Sequence, residues 1–153
     1  MVTSPIKGPW RAAEVERFLD RGGLPMRLAC VGADGFPRVV SLWYRYQQGQ
    51  LLCVTHEKAQ LLSLLASDNR VGFEIAPNEP PYHGVRGQGL AEVTDLGARD
   101  ALEDLLGRYL GGTESSLGQW LLSRGDEERL ITVTPTRLFT WDYRLRMADA
   151  VNG

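Results

Sequence analysis

The most unusual chemistry-bearing stretch runs Pro80-Pro81-Tyr82-His83-Gly84-Val85-Arg86-Gly87-Gln88-Gly89. Side chains of an extended strand alternate between its faces, so Gly84, Arg86 and Gln88 share one face. Glycines at 87 and 89 would let a flat ligand or a partner backbone approach while Arg86 and Gln88 supply polar contacts. A β-bulge in a packed dimer interface would use the same residues. Trp43, Trp120 and Trp141 could stack on an aromatic ring, or serve as packing residues with hydrogen-bonded indole N–H groups. Tyr143, Arg144 and Arg146 follow Trp141 closely and could complete a site across a dimer interface, or form a solvated basic tail.

Other chemistries find no support. His56 and His83 are far apart, Cys30 and Cys53 sit in strand-like runs, and no short motif gathers three metal ligands. Ser41 has neither a nucleophile elbow nor a histidine spaced to activate it, and no phosphate-cradling Gly-x-x-x-x-Gly-Lys loop occurs. Gly84, Gly87 and Gly89 fall within a strand, whereas a dinucleotide fingerprint needs a strand-to-helix turn. Structural zinc, hydrolase and nucleotidase readings are therefore disfavoured.

The elements that must position these residues follow from periodicity. Trp10, Ala13, Val15, Phe18 and Leu19 recur at near-helical spacing before Gly22-Gly23, which predicts an opening amphipathic helix. Met26 to Val31, the turn Ala33-Asp34-Gly35 and the β-branched, aromatic run Pro37 to Tyr46 predict a hairpin, and Gln47 to Gln50 turns the chain into a third strand, Leu51 to Thr55. A helix over Lys58 to Ser67 carries a stripe of leucines, and a strand over Arg70 to Ile75 follows. The prolines of Ala76 to Pro81 exclude a ladder, so a loop precedes the long strand Val85 to Thr94. Helices over Leu96 to Leu110 and Ser116 to Arg124 and strands over Leu130 to Thr134 and Arg137 to Trp141 complete about seven strands and four helices. Short hairpins without a βαβ alternation predict an α+β fold with an antiparallel sheet, and barrel closure would remove exposed strand edges.

A chain of 153 residues suits one domain spanning 1–153, because a second core would need roughly 100 more residues. Residues 1–9 and 147–153 are expected to be flexible. A formal charge of −2 gives no electrostatic reason to expect nucleic acid or an anionic membrane as a partner. The two cysteines read as buried free thiols, which implies a reducing compartment. No leader-like start is visible and no run approaches the roughly 20 apolar residues of a membrane span, so a cytoplasmic location is expected.

The order of these motifs resembles the pyridoxamine 5′-phosphate oxidase-like, FMN-binding split-barrel superfamily from Leu24 to Asp142. The matching stretches are LACVGADGFPRVVSLWYRY (Leu28 to Tyr46), LLCVTHEKAQLLSLLASDNRVGFEI (Leu51 to Ile75), GVRGQGLAEV (Gly84 to Val93) and VTPTRLFTWD (Val133 to Asp142). The resemblance implies a six- to seven-stranded antiparallel split barrel with peripheral helices. It implies that the backbone of Val39, Val40, Ser41, Leu42, Trp43 and Tyr44 lies beside an isoalloxazine ring and that Thr55 bonds the flavin phosphate. The arginine–lysine pair that relatives use for that phosphate falls on Gln60 and Leu61, and leucine cannot hold a phosphate. Lys58, one helical turn earlier, is the replacement cation the sequence offers. A glutamine that relatives place on the strand after the loop falls on Gly84.

On this resemblance the expected activity is that of an oxidoreductase acting on a small organic substrate. FMN, or alternatively a deazaflavin coenzyme, would be bound at a homodimer interface to which Arg86, Gln88 and Trp141 contribute. A non-catalytic flavin- or haem-binding split barrel that has lost the phosphate anchor is the alternative. An oxidase for a pyridoxal-type phosphate ranks lower, since Arg144 and Arg146 only weakly replace the arginine-rich C-terminal pattern of such enzymes. The catalytic residues remain unassigned.

Overall fold

Alternation of buried and exposed side chains along each strand fixes which face of the sheet becomes the core. The computed structural model describes residues 1–147, and the rest of the expected flexible tail, 148–153, lies outside them. In chain order the elements are β1 (Ile6–Lys7), α1 (Ala12–Asp20), β2 (Met26–Val31), β3 (Pro37–Leu42), β4 (Arg45–Gln47), β5 (Gln50–His56), α2 (Gln60–Ser67), β6 (Arg70–Ile75), β7 (His83–Thr94), α3 (Ala98–Leu110), α4 (Ser116–Ser123), a 3₁₀ turn (Gly125–Glu127) and β8 (Glu128–Asp142). The strands form one curled sheet in the order β3-β2-β6-β7-β8-β5-β4. Every pair on that path is antiparallel, while β1 joins β8 in parallel. The fold is α+β, an antiparallel half-barrel with its helices on the periphery.

The concave face holds the core. Met26, Leu28 and Cys30 of β2, Val71, Phe73 and Ile75 of β6, and Ile131, Val133 and Leu138 of β8 all point into it. The helices supply matching stripes at a spacing of three or four residues: Val15, Phe18 and Leu19 from α1, Leu61, Leu64 and Leu65 from α2. Burying each such leucine or phenylalanine contributes about 1.5–3 kcal/mol. The helices are also tied to one another, since the Arg108 guanidinium of α3 donates to the carbonyls of Leu19, Asp20 and Arg21 and so satisfies the open C-terminus of α1.

Three features differ from the sequence expectation. The run Pro37 to Tyr46 is two strands, because Trp43 and Tyr44 leave the ladder. Tyr44 is fully buried, with its hydroxyl donating to the Leu19 carbonyl at 2.8 Å. The two closing strands are one strand of 15 residues, β8. Its irregularity lies where the register shifts between Gln88 and Gly89, leaving Thr136 as the extra residue and Pro135 opposite Gly89, a place where a missing N–H costs no ladder bond. Finally, within the segment 1–9, Ile6 and Lys7 pair with Leu138 and Phe139, and the Pro5 carbonyl accepts from the Leu138 N–H.

Candidate functional site

Among the described residues β3 pairs only with β2, so its second edge carries free backbone donors and acceptors there. The register Arg27↔Ser41, with Arg27 Nη1 donating to Ser41 Oγ at 3.0 Å, puts Val39 and Ser41 on the convex face. Arg38, Val40 and Leu42 consequently point the other way. Helix α2 and the end of β5 stand across the gap from this edge.

Two adjoining hollows fill that gap. The first, about 360 Å³, lies between Cys30, Arg38, Val40 and Leu42 on one side and Thr55, Gln60 and Leu61 on the other, with Val39 at its margin. The second, about 390 Å³, is bounded by Ser41, Leu42 and Trp43, by Thr55 and His56, and by leucines of α3 and α4 including Leu102 and Leu121. Leu42 and Thr55 border both, so they are lobes of one cleft. Each lobe falls in the roughly 300–1,000 Å³ range of small-molecule sites.

The first lobe offers an anion three kinds of partner. Among the described residues the Thr55 hydroxyl is not engaged by another side chain or a carbonyl, and Ala59, the residue that opens α2, has no side chain with which to cap the helix. Free N–H groups at such a helix start favour negative charge. The cation is Arg38. Its only acidic neighbour among the described residues, Asp34, lies at 3.9 Å on an exposed surface, a weak contact that leaves the guanidinium available. Burial pushes the Cys30 thiol up, and the positive charge of Arg38 partly offsets this.

The second lobe is apolar with a charged floor. Glu128 is buried and pairs with Arg124 at 3.1 Å, and the Arg124 guanidinium lies 4.5 Å from the Trp120 ring centroid. At the rim His56 Nδ1 accepts from the Lys58 N–H at 3.1 Å, so Nε2 carries the proton and donates to Glu127 at 2.9 Å. That bond, more than any other cause, lowers the Glu127 carboxyl below its ordinary range.

The cleft brings together Val39, Val40, Ser41, Leu42, Trp43, Thr55 and Gln60 of the residues singled out in the sequence. Tyr44 belongs to the core and lines neither lobe. Lys58 is exposed and borders neither lobe, and the cation that lines the first lobe is Arg38. The alternation of β3 was the available signal for Arg38, because a strand whose edge meets a ligand sends every second side chain inward.

Arg86, Gln88 and Trp141 lie on the convex sheet face, away from the cleft within one chain. Arg86 sits over the Trp141 and Phe139 rings, 5.5 and 5.9 Å from their centroids, and Gln88 lines a shallow trough of about 550 Å³ with Ala29, Gly72 and Leu90. The glycines of β7 serve packing. A Cβ at Gly87 would lie 2.6 Å from both the Arg137 carbonyl oxygen and Phe73 Cζ, and one at Gly84 would lie 2.9 Å from Trp141 Cζ2. Trp120 is largely exposed, and Arg144 is committed to Asp142 through two hydrogen bonds.

No protein-family model matches the sequence, and neither does any curated protein. Solved structures do match. A conserved hypothetical protein from Mycobacterium tuberculosis superposes with a TM-score of 0.77 at 23% identity, over 89% of this chain and 87% of that one. An F420 reductase gives 0.68 at 23% identity, over 80% and 94%. A pyridoxamine 5′-phosphate oxidase-like protein from Listeria innocua gives 0.64 at 14% identity, over 84% and 95%. The curled half-barrel, with helices around it and a cleft at its open edge, is the split-barrel fold of the pyridoxamine 5′-phosphate oxidase-like proteins.

Proposed function

We propose that the chain is an oxidoreductase that binds FMN or a deazaflavin coenzyme in the cleft between β3, β5 and α2 and acts on a small organic molecule. The observation that carries this reading is the convergence of Arg38, the free Thr55 hydroxyl and the uncapped start of α2 on a lobe that continues along the open edge of β3. A flat heterocycle seated on that edge would meet backbone donors and acceptors, and its phosphate-bearing tail would meet the cationic lobe. Such a cofactor supplies hydride transfer, while the protein contributes position and electrostatics. The similarity of fold to an F420 reductase keeps the deazaflavin option beside FMN.

The apolar second lobe is where the substrate would sit, between Trp43 and the leucines of α3 and α4, with the Arg124–Glu128 pair beneath it. A homodimer is part of the same proposal. The convex sheet face carries exposed Val39 and Leu90, with Leu90 bordering the shallow trough, an apolar surface suited to a second copy. Size-exclusion chromatography with light scattering should give a dimer, which Leu90→Glu should dissociate.

The test of function is the absorbance spectrum of the protein purified without added ligand, followed by assay with a reductant. A bound flavin or deazaflavin and turnover support the oxidoreductase reading. Stabilisation by cofactor without turnover on any acceptor would favour a carrier or storage protein of the same fold.

A further inference from the structure

A second cleft, sharing no residue with the first, lies where α1 crosses the start of β7 and the end of β8. It measures about 500 Å³, and its walls include Trp10 and Phe18 of the core, with His83 among them. His83 is 8% exposed. Its Nδ1 lies 2.9 Å from the Pro81 carbonyl oxygen, which can only accept, so Nδ1 carries a proton. In the neutral ring Nε2 then bears the lone pair. That atom is buried and has no hydrogen-bond partner among the described residues. A buried acceptor with no donor is disfavoured, so the site calls for a group that donates to it.

The surroundings define what could donate. The rings of Trp10 and Phe18 meet the imidazole edge to face, with centroids 6.2 and 5.9 Å away, so the walls are flat and apolar. Trp10 is held in place by its indole N–H donating to Asp142 at 2.9 Å and its backbone N–H donating to Thr140 Oγ1 at 3.2 Å. Asp142 is already neutralised by the two bonds from Arg144, and Glu14 accepts from the Arg11 N–H. Arg17 and Arg21 also line the cleft and take part in none of the ion pairs among the described residues. The cleft therefore presents Arg17 and Arg21 without an ion-pair partner among the described residues, the carboxylate of Glu14 beside them, an aromatic wall and a buried acceptor.

We propose that this cleft is a second binding site, for a small organic carboxylate that also carries a hydroxyl. The carboxylate would meet Arg17 and Arg21, the body would lie against Trp10 and Phe18, and the hydroxyl would donate to His83 Nε2. The two functions of the ligand are both required, because neither arginine reaches Nε2 in this structure and the imidazole in this tautomer cannot neutralise an anion.

The chain has two histidines, so long-range proton–nitrogen correlation NMR resolves His83 from His56. The probes are lactate, 4-hydroxybenzoate and 4-hydroxyphenylacetate, each against its counterpart without the hydroxyl: propionate, benzoate and phenylacetate. At least one hydroxy acid should shift the His83 Nε2 resonance saturably and leave His56 in place. Its counterpart should bind roughly tenfold more weakly, the scale of one lost hydrogen bond. Arg17 and Arg21 are exposed, so the double variant Arg17→Glu/Arg21→Glu keeps the fold, and it should abolish the saturable shift. No saturable shift with any hydroxy acid, equal affinity for both members of each pair, or an undiminished shift in the double variant would each overturn the site.

Discussion

Trp43 and Tyr109 stack face to face, with ring centroids 5.2 Å apart and planes 6° from parallel. The contact locks the Trp43 wall of the second lobe to α3. The Tyr109 hydroxyl extends it, donating to the Leu24 carbonyl at 2.7 Å and accepting from the Tyr44 N–H at 3.2 Å. Tyr109→Phe keeps the ring stack and removes both bonds. A loss of about 1–3 kcal/mol in urea denaturation is expected, because a buried backbone group is left without its partner. An unchanged midpoint would show that the hydroxyl does not hold the segment between β3 and β4.

The two candidate cations make opposite predictions. Arg38 lines the anion lobe and Lys58 does not. Arg38→Gln should weaken binding of a phosphate-bearing cofactor about tenfold or more, whereas Lys58→Gln should leave it within about twofold, since a charge-assisted bond contributes about 1.5–3 kcal/mol. Fluorescence-quenching titration of both variants decides between them, and the reverse order would restore Lys58 as the anchor.

Gly87→Ala should destabilise the fold by about 1–3 kcal/mol, the usual cost of overpacking. The added Cβ would stand 2.6 Å from a β8 carbonyl and from Phe73, both inside the barrel wall. Thermal denaturation checks this, and a neutral outcome would reopen the reading in which the glycine makes room for a ligand.

Asp142 contributes a pH-dependent part of stability. Arg144, and then the Trp10 indole, hold its carboxyl well below the usual carboxylate range. A carboxyl whose folded value is depressed stabilises the fold above its unfolded value near pH 4, and that contribution fades as the pH falls toward the folded value. The stability gap between the native chain and Asp142→Asn should thus be full at pH 7 and shrink below about pH 4 in urea titrations at each pH. A gap that stays constant down to pH 3 would contradict this.

The sequence made the helices legible, because leucines at 61, 64 and 65 or 102, 105 and 106 can only form one stripe. Thr55 and the stretch from Val39 to Trp43 came from the resemblance to the split-barrel superfamily, not from a local pattern, and both border the cleft. Arg38 was missed because its role depends on which face of β3 turns inward, and that is fixed by pairing with β2. The placement of Arg86 on the convex face is likewise a property of the whole sheet. His83 stands in the unusual stretch that opens β7, but its unpartnered nitrogen was not legible there, as it exists only once α1, β7 and β8 meet.

We propose above that the cleft at the open edge of β3 holds a flavin-type cofactor. The most direct measurement of this is a titration of the ligand-free chain and of Thr55→Val with FMN and with F420 in parallel, followed by cofactor fluorescence. Saturable binding of one of the two by the native chain, weakened about fivefold or more in Thr55→Val by loss of one hydrogen bond, is the expected result. Binding of neither cofactor, or equal binding by the variant, would contradict the assignment.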